Sequence, residues 1–108
     1  MATAELVEPV LRRFRRAVSE AYGDRLVRAV LFGSRARRDA RPDSDYDIAV
    51  FLRDMPNRFT EICRLADIGT EILYDSGEVI NALPFQADDW NDPTMPLMHE
   101  IRREGVEI

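Results

Sequence analysis

The chain has no lysine: all fifteen of its basic residues are arginine. It has one cysteine, one histidine and one tryptophan, and no segment approaches the roughly 20 apolar residues that span a bilayer. A single Cys63 excludes an internal disulfide and fits a reducing compartment. The opening "MATAELVEPVLRRF" carries acids where a signal peptide needs a basic start and a long apolar centre. These absences describe a soluble, cytoplasmic protein. With 108 residues, 45% of them hydrophobic, the chain is read as one domain over residues 1–108. The net charge of −5 argues against simple coating of nucleic acid, and no direct nucleic-acid binding is expected. Charge is unevenly spread, however. Ten arginines and five acids lie at or before Arg41, while fifteen acids follow it.

Apolar periodicity divides the chain into seven elements. Leu6, Val7, Val10, Leu11, Phe14, Val18 and Tyr22 keep helical spacing, predicting a helix from Thr3 to Tyr22 stopped by Gly23. Leu26 to Phe32 reads as a strand and Ser34 to Arg38 as a short helix with Ser34 as its N-cap. "DARPDS" is a loop turning at Pro42 and Asp43, and Tyr46 to Leu52 is a second strand. A long helix follows over Pro56 to Tyr74, with Phe59, Ile62, Leu65, Ala66, Ile72 and Leu73 directed inward. Asp75 to Gly77 break it. Val79 to Phe85 is a third strand, "QADDWNDP" a loop, and Met95 to Arg103 a last helix ended by Gly105. The pattern predicts an α/β (α+β) domain, a small mixed β-sheet flanked by helices.

Chemistry concentrates in "GSRARRDARPDSDYD". Asp45 and Asp47 are two residues apart, so on a strand both side chains leave the same face while Tyr46 leaves the other. Two such carboxylates suit a hard divalent cation; without one they repel each other. Gly33, at the end of a buried strand, allows close approach of a bulky anion to the backbone, and Ser34 opens a helix towards it. Arg35, Arg37 and Arg38 add positive charge within one turn. Each part alone is common in ordinary turns; the ordered combination is not.

That combination, "GS", ten residues, then "DYD", resembles the signature of the minimal nucleotidyltransferases (MNT) of the DNA polymerase β superfamily. Gly33, Ser34, Asp45 and Asp47 match it directly. Ala36, Arg37, Pro42 and Ser44 agree with its usual flavour, and "MPLMHEIRREGVEI" is similar to the tail of these proteins. The resemblance implies a polymerase β-like core, ATP as nucleotide donor, Mg2+ as cofactor, phosphates held by Gly33, Ser34, Arg35 and Arg37, and metal held by Asp45 and Asp47. It also implies a HEPN-type toxin as protein partner in a hetero-oligomer, with AMP added to a toxin tyrosine. A binding-only antitoxin is the alternative. Transfer to a small molecule such as an aminoglycoside ranks last, because the short remainder after the core leaves no room for an acceptor domain.

Two positions depart from the family pattern. Where the family has Gly, this chain has Arg38, which is strained if the backbone needs positive φ and a phosphate ligand if it does not. Where active members carry a third carboxylate, the register places Asn81; an amide accepts hydrogen bonds but no proton. Glu78 is the nearest acid, on the opposite side of a regular strand unless a bulge intervenes. Among other residues, Cys63 reads as an apolar filler and Tyr46 as a core residue. His99 reads as a surface or packing histidine. Trp90 is either a partner anchor or a lid over the sheet. Arg12, Arg13, Arg15 and Arg16 are a solvated helix face or, less simply, a partner or RNA surface.

Overall fold

The structure is a computed structural model; it describes residues 2–3, 8–41 and 44–108. Nine elements follow in order: β1 (Ala2–Thr3), α1 (Pro9–Tyr22), β2 (Leu26–Phe32), α2 (Ser34–Arg37), β3 (Tyr46–Leu52), α3 (Arg58–Ser76), β4 (Ile80–Gln86), α4 (Pro96–Glu104) and β5 (Val106–Glu107). Short 3-10 turns occupy Gly23–Arg25 and Ala87–Asn91. The strands form one mixed sheet in the order β1-β5-β2-β3-β4. β2 runs antiparallel to β3 and β5, whereas β3 and β4 are parallel, joined through α3. The predicted mixed sheet with flanking helices is therefore what forms.

Alternation along the strands builds two cores. Ala29 and Leu31 of β2 and Tyr46, Ile48, Val50 and Leu52 of β3 face α1 and α3, against Phe14, Val18, Leu65 and Ile72. Val30, Ala49 and Phe51 face the other way, against Phe85, Met98 and Ile101 of β4 and α4. β3 is thus covered on both sides, which explains its nearly unbroken apolar run.

Several boundaries differ from the sequence reading. α1 begins at Pro9, not Thr3, because proline suits the first helical turn and holds Glu8 extended. Ala2–Thr3 instead pair with Val106–Glu107, two strands too short to leave a periodic signal. Pro42 and Asp43 lie outside the described residues. α3 starts at Arg58, where the Asn57 side chain accepts from the Thr60 N–H at 3.2 Å. It ends at Ser76, where Gly77 turns left-handed at φ 77°.

The largest correction concerns the face of α3 that packs inward. Leu65, Gly69 and Ile72 are buried together with Glu61, while Phe59, Ile62, Ala66 and Leu73 are exposed. Cys63 is exposed too, so it fills no core. Counting apolar residues could not find this phase, since Glu61 is only 3% exposed and is buried in place of a hydrophobe. Its burial is possible because Arg25 reaches it at 2.7 Å and Arg64 lies 3.8 Å away.

Candidate active site

Three chain segments meet where β2 ends and β3 begins. Register sets Phe32 opposite Asp47 on one side and Asn81 opposite Asp47 on the other. Gly33 leaves β2 at φ 74° and ψ −157° and serves as the N-cap of α2, a place the sequence reading gave to Ser34. A Cβ on Gly33 would fall 2.5 Å from Asp47 Oδ2, so a glycine is needed for the turn to lie against the carboxylate. The Gly33 carbonyl accepts from the N–H groups of Ala36 and Arg37, which leaves the amides of Ser34 and Arg35 ahead of the helical ladder.

Asp47 is half-buried on the face shared with Ala49 and Phe51; Asp45 is exposed, just before the strand. Asn81 donates from Nδ2 to Asp47 Oδ1 at 3.2 Å. β3 and β4 keep continuous register from Tyr46–Ile80 to Leu52–Gln86, and Glu78 lies ahead of the paired strand. Glu78 instead lies 3.6 Å from Arg35. The structure thus unites Gly33, Asp47 and Asn81 and places Glu78 elsewhere.

The arginines are distributed in an unexpected way. Arg35 donates from Nε and Nη2 to the Ser44 carbonyl at 3.2 and 2.9 Å, and its guanidinium lies 4.2 Å from the centre of the Tyr46 ring. It is therefore on the Tyr46 side of β3, holding the segment that leads into Asp45. Arg37 is paired with Asp39 and with Glu104 of α4, both at 3.3 Å. These bonds, Asp39 first, push its pKa up further. Arg38 adopts the left-handed conformation at φ 63° and ψ 29°, so it carries the strain that glycine would avoid.

Tyr46, buried as expected, donates from Oη to Glu8 Oε2 at 2.7 Å. Burial, then the bond to Glu8, push its pKa up to about 12. Sequence reasoning missed this link between the site and the start of α1, although the odd position of Tyr46 between the aspartates already gave its direction. Trp90 packs edge-on to Phe51 at 5.4 Å beneath the Arg28 guanidinium, covering the sheet. Arg13 pairs with Asp75, and Arg15 donates to the Ile108 carbonyl, so that cluster is partly structural. His99 is exposed beside Arg102, as a surface histidine.

The donor set fits a divalent cation. Asp45 and Asp47 offer hard oxygen donors, and neither forms an ion pair among the described residues despite the fifteen arginines of the chain. Among those residues no group of three or more His, Cys, Asp or Glu converges. A cation here would take two protein carboxylates and complete its shell with water or phosphate.

This arrangement of a glycine turn against a strand aspartate coincides with a family match. Residues 19–108 match the model of the "Polymerase beta, Nucleotidyltransferase" family. The chain belongs to that family. Two proteins of Methanocaldococcus jannaschii, each named "Putative protein adenylyltransferase", are similar to it. MJ0141 is 36% identical over 52 residues, covering 48% of this chain and 52% of the relative. MJ1305 is 33% identical over 81 residues, covering 74% and 54%. The chain thus spans about half the length of these nucleotidyltransferase relatives. Among solved structures, a toxin–antitoxin with AMP-PNP shares the fold, with TM-score 0.61 and 15% identity over 87% of this chain and 68% of that one. A tyrosine-to-alanine mutant of the toxin–antitoxin MntA-HpeT shares it equally, with TM-score 0.61 and 14% identity over 91% and 70%. Among the described residues no helix is long and apolar enough to cross a membrane.

Proposed function

We propose that this chain is a magnesium-dependent nucleotidyltransferase that moves AMP from ATP to a protein acceptor, acting in the cytoplasm as the antitoxin partner of a HEPN-type toxin. Residues 1–108 act as one nucleotidyltransferase domain in this reading. The observation that carries it is the close approach of the Gly33 turn to Asp47, beside carboxylates that form no ion pair among the described residues. The names of the similar proteins support the same direction: protein adenylyltransferases by sequence, and toxin–antitoxin pairs, one with an ATP analogue, by fold.

Asp45 and Asp47 hold the metal, which when bound offsets the charge of the phosphates and of the leaving group. Gly33 keeps the turn open to the phosphates, and the amides of Ser34 and Arg35 precede the helical ladder there. Arg35 acts behind the site, fixing Ser44 and with it the approach to Asp45. In the transfer, the acceptor hydroxyl oxygen bonds to the α-phosphorus, the bond to pyrophosphate breaks, and the hydroxyl proton departs. Asn81 cannot take that proton, so water or a group of the acceptor protein receives it.

The same Asn81 favours a second reading, an antitoxin that neutralises its partner by binding alone. Incubating the chain and its co-expressed partner with α-labelled ATP and magnesium separates the two. The first reading predicts label on the partner and a loss of about a thousandfold in Asp45→Asn/Asp47→Asn. No label, with full neutralisation retained by that double variant, leaves the second.

A further inference from the structure

β4 ends the sheet, and its outer edge pairs with no strand among the described residues. The Tyr46 N–H donates to the Val79 carbonyl at 2.8 Å, which sets the phase of the parallel ladder between β3 and β4. Asn81, Leu83 and Phe85 therefore turn their backbone groups to β3, and Ile80, Ala82 and Pro84 turn theirs outward. Pro84 has no N–H to offer, as suits an edge strand, and the Gln86 N–H is taken by Asp89 at 3.1 Å. What is left is the N–H and carbonyl of Ile80, the N–H and carbonyl of Ala82, and the carbonyl of Pro84. Among the described residues none of these groups has a hydrogen-bond partner.

α3 overhangs the same edge. Arg13 pairs with Asp75, and the Arg64 guanidinium lies 5.3 Å from the centre of the Tyr22 ring. α1, which lies over β2, thus flanks the side of α3 that carries residues 64 and 75. Leu65, Gly69 and Ile72 face the sheet. A Cβ on Gly69 would stand 3.4 Å from the Ile80 carbonyl oxygen, so the helix is seated directly on β4. At about 100° per residue, Ile62, Ala66 and Leu73 fall on the side away from α1, above the open edge. All three are exposed, Ile62 by 40% and Leu73 by 42%. Unpaired backbone groups and an apolar helix flank therefore border one strip of surface.

We propose that this strip takes an extended segment of the partner protein as an added strand, hydrogen-bonded to Ile80, Ala82 and Pro84, its alternate apolar side chains against Ile62, Ala66 and Leu73. Backbone donors and acceptors repeating at strand spacing are met by another strand; a helix has already satisfied its own. The remaining side chains of the added strand leave on the other face, which is that of Asn81 and Asp47. A residue opposite Asn81 stands two strand spacings, about 10 Å, from Asp47, so a tyrosine there directs its hydroxyl towards the site. A second copy paired edge to edge delivers no such hydroxyl, because Ile80–Gln86 contains no serine, threonine or tyrosine. The identity of the occupant rests on the proposed transfer to a protein; the open edge itself does not.

Amide hydrogen exchange, resolved by NMR on the full chain and on its complex with the co-expressed partner, tests this. In the chain alone Ile80 and Ala82 exchange at least about tenfold faster than Asn81 and Leu83, whose N–H groups are bonded to β3. In the complex Ile80 and Ala82 slow by at least about a hundredfold. Ala82→Pro removes one outward donor while sparing the ladder to β3, as Pro84 does, and weakens the complex by about tenfold. Ile62→Ser/Leu73→Ser, at two exposed positions, weakens it by roughly the same factor with the circular dichroism of the parent. A bound partner that leaves Ile80 and Ala82 exchanging freely overturns the proposal. So does slow exchange of both in the chain alone, whether or not light scattering shows a dimer. Either failure leaves labelling of the partner from ATP untouched, whereas a partner that protects this edge and takes no label refutes the transfer and keeps the added strand.

Discussion

Carboxylates at the two ends of β3 are treated in opposite ways. At its far end Glu61 is buried, bonded to Arg25 at 2.7 Å, approached by Arg64 at 3.8 Å and set beside Tyr22. Arg25 itself continues to the carbonyls of Arg53 and Asp54, so the group ties α3 to the end of β3. At its near end Asp45 and Asp47 are more accessible, and among the described residues neither forms an ion pair; Asp47 accepts from the neutral amide of Asn81. The nearby arginines are turned away, Arg35 to Ser44 and Tyr46, Arg37 to Asp39 and Glu104. One end uses its charge to hold the fold together. The other leaves its carboxylates without an ion pair among the described residues, as the proposed metal and nucleotide site requires.

Breaking the buried end has the largest effect on stability. Arg25→Ala leaves Glu61 buried without its main partner; because Arg25 is itself partly exposed, the cost is about 2–3 kcal/mol in urea unfolding. Nucleotide affinity should remain near that of the parent. Equal loss of affinity would mean that the two ends are coupled.

Gly33→Ala strikes the open end. The added methyl meets Asp47 Oδ2 at 2.5 Å and the backbone needs φ 74°, so about 1–2 kcal/mol of stability is lost. Affinity for ATP falls by about tenfold as the turn moves off the aspartate. A variant with parental affinity would show that the turn does not touch the nucleotide.

A pH titration moves the tyrosines of the two ends alike. Burial first, then the charge of Glu61, push the Tyr22 pKa up to about 12, and Tyr46 is raised to a similar value. The folded state therefore holds these protons more tightly than the unfolded chain. The resulting stability is fully present below pH 10 and is lost as pH rises from 10 to about 12, by roughly 1–2 kcal/mol per tyrosine. At neutral pH the pair diverges. Tyr46→Phe costs about 1 kcal/mol through the lost bond to Glu8, whereas Tyr22→Phe is neutral, because its hydroxyl is buried with no hydrogen-bond partner among the described residues. Thermal unfolding of both variants at neutral and high pH reads these differences.

Arg38→Gly has the smallest effect. Relief of the left-handed backbone is opposed by the extra freedom of glycine in the unfolded chain, leaving a gain of up to about 1 kcal/mol. A loss of stability there would mean that the Arg38 side chain makes a contact worth more than its strain.

The sequence made the site more legible than its surroundings. Strand parity placed Asp47 on the face opposite Tyr46, and register against the family pattern brought Asn81 beside Asp47. Both follow from the period of two along a strand, which tolerates little error. The partners of Arg35 and Arg37 did not follow, because their side chains are long enough to reach several acids and only the folded chain selects among them. Nor did the phase of α3. A helix with apolar residues on two sides gives no unique inward face, and Glu61 becomes a core residue only through Arg25, 36 positions earlier. The pairing of Ala2–Thr3 with Val106–Glu107 was illegible for a simpler reason, since two residues carry no period.

Calorimetric titration of ATP with magnesium into the parent chain and into Asp47→Asn tests the central claim most directly. The parent should bind with measurable heat that disappears when magnesium is withheld, and Asp47→Asn should lose that heat while unfolding at the parental temperature. Absence of binding by the folded parent, or equal binding by the variant, would contradict the assignment of Asp45 and Asp47 as the seat of metal and nucleotide.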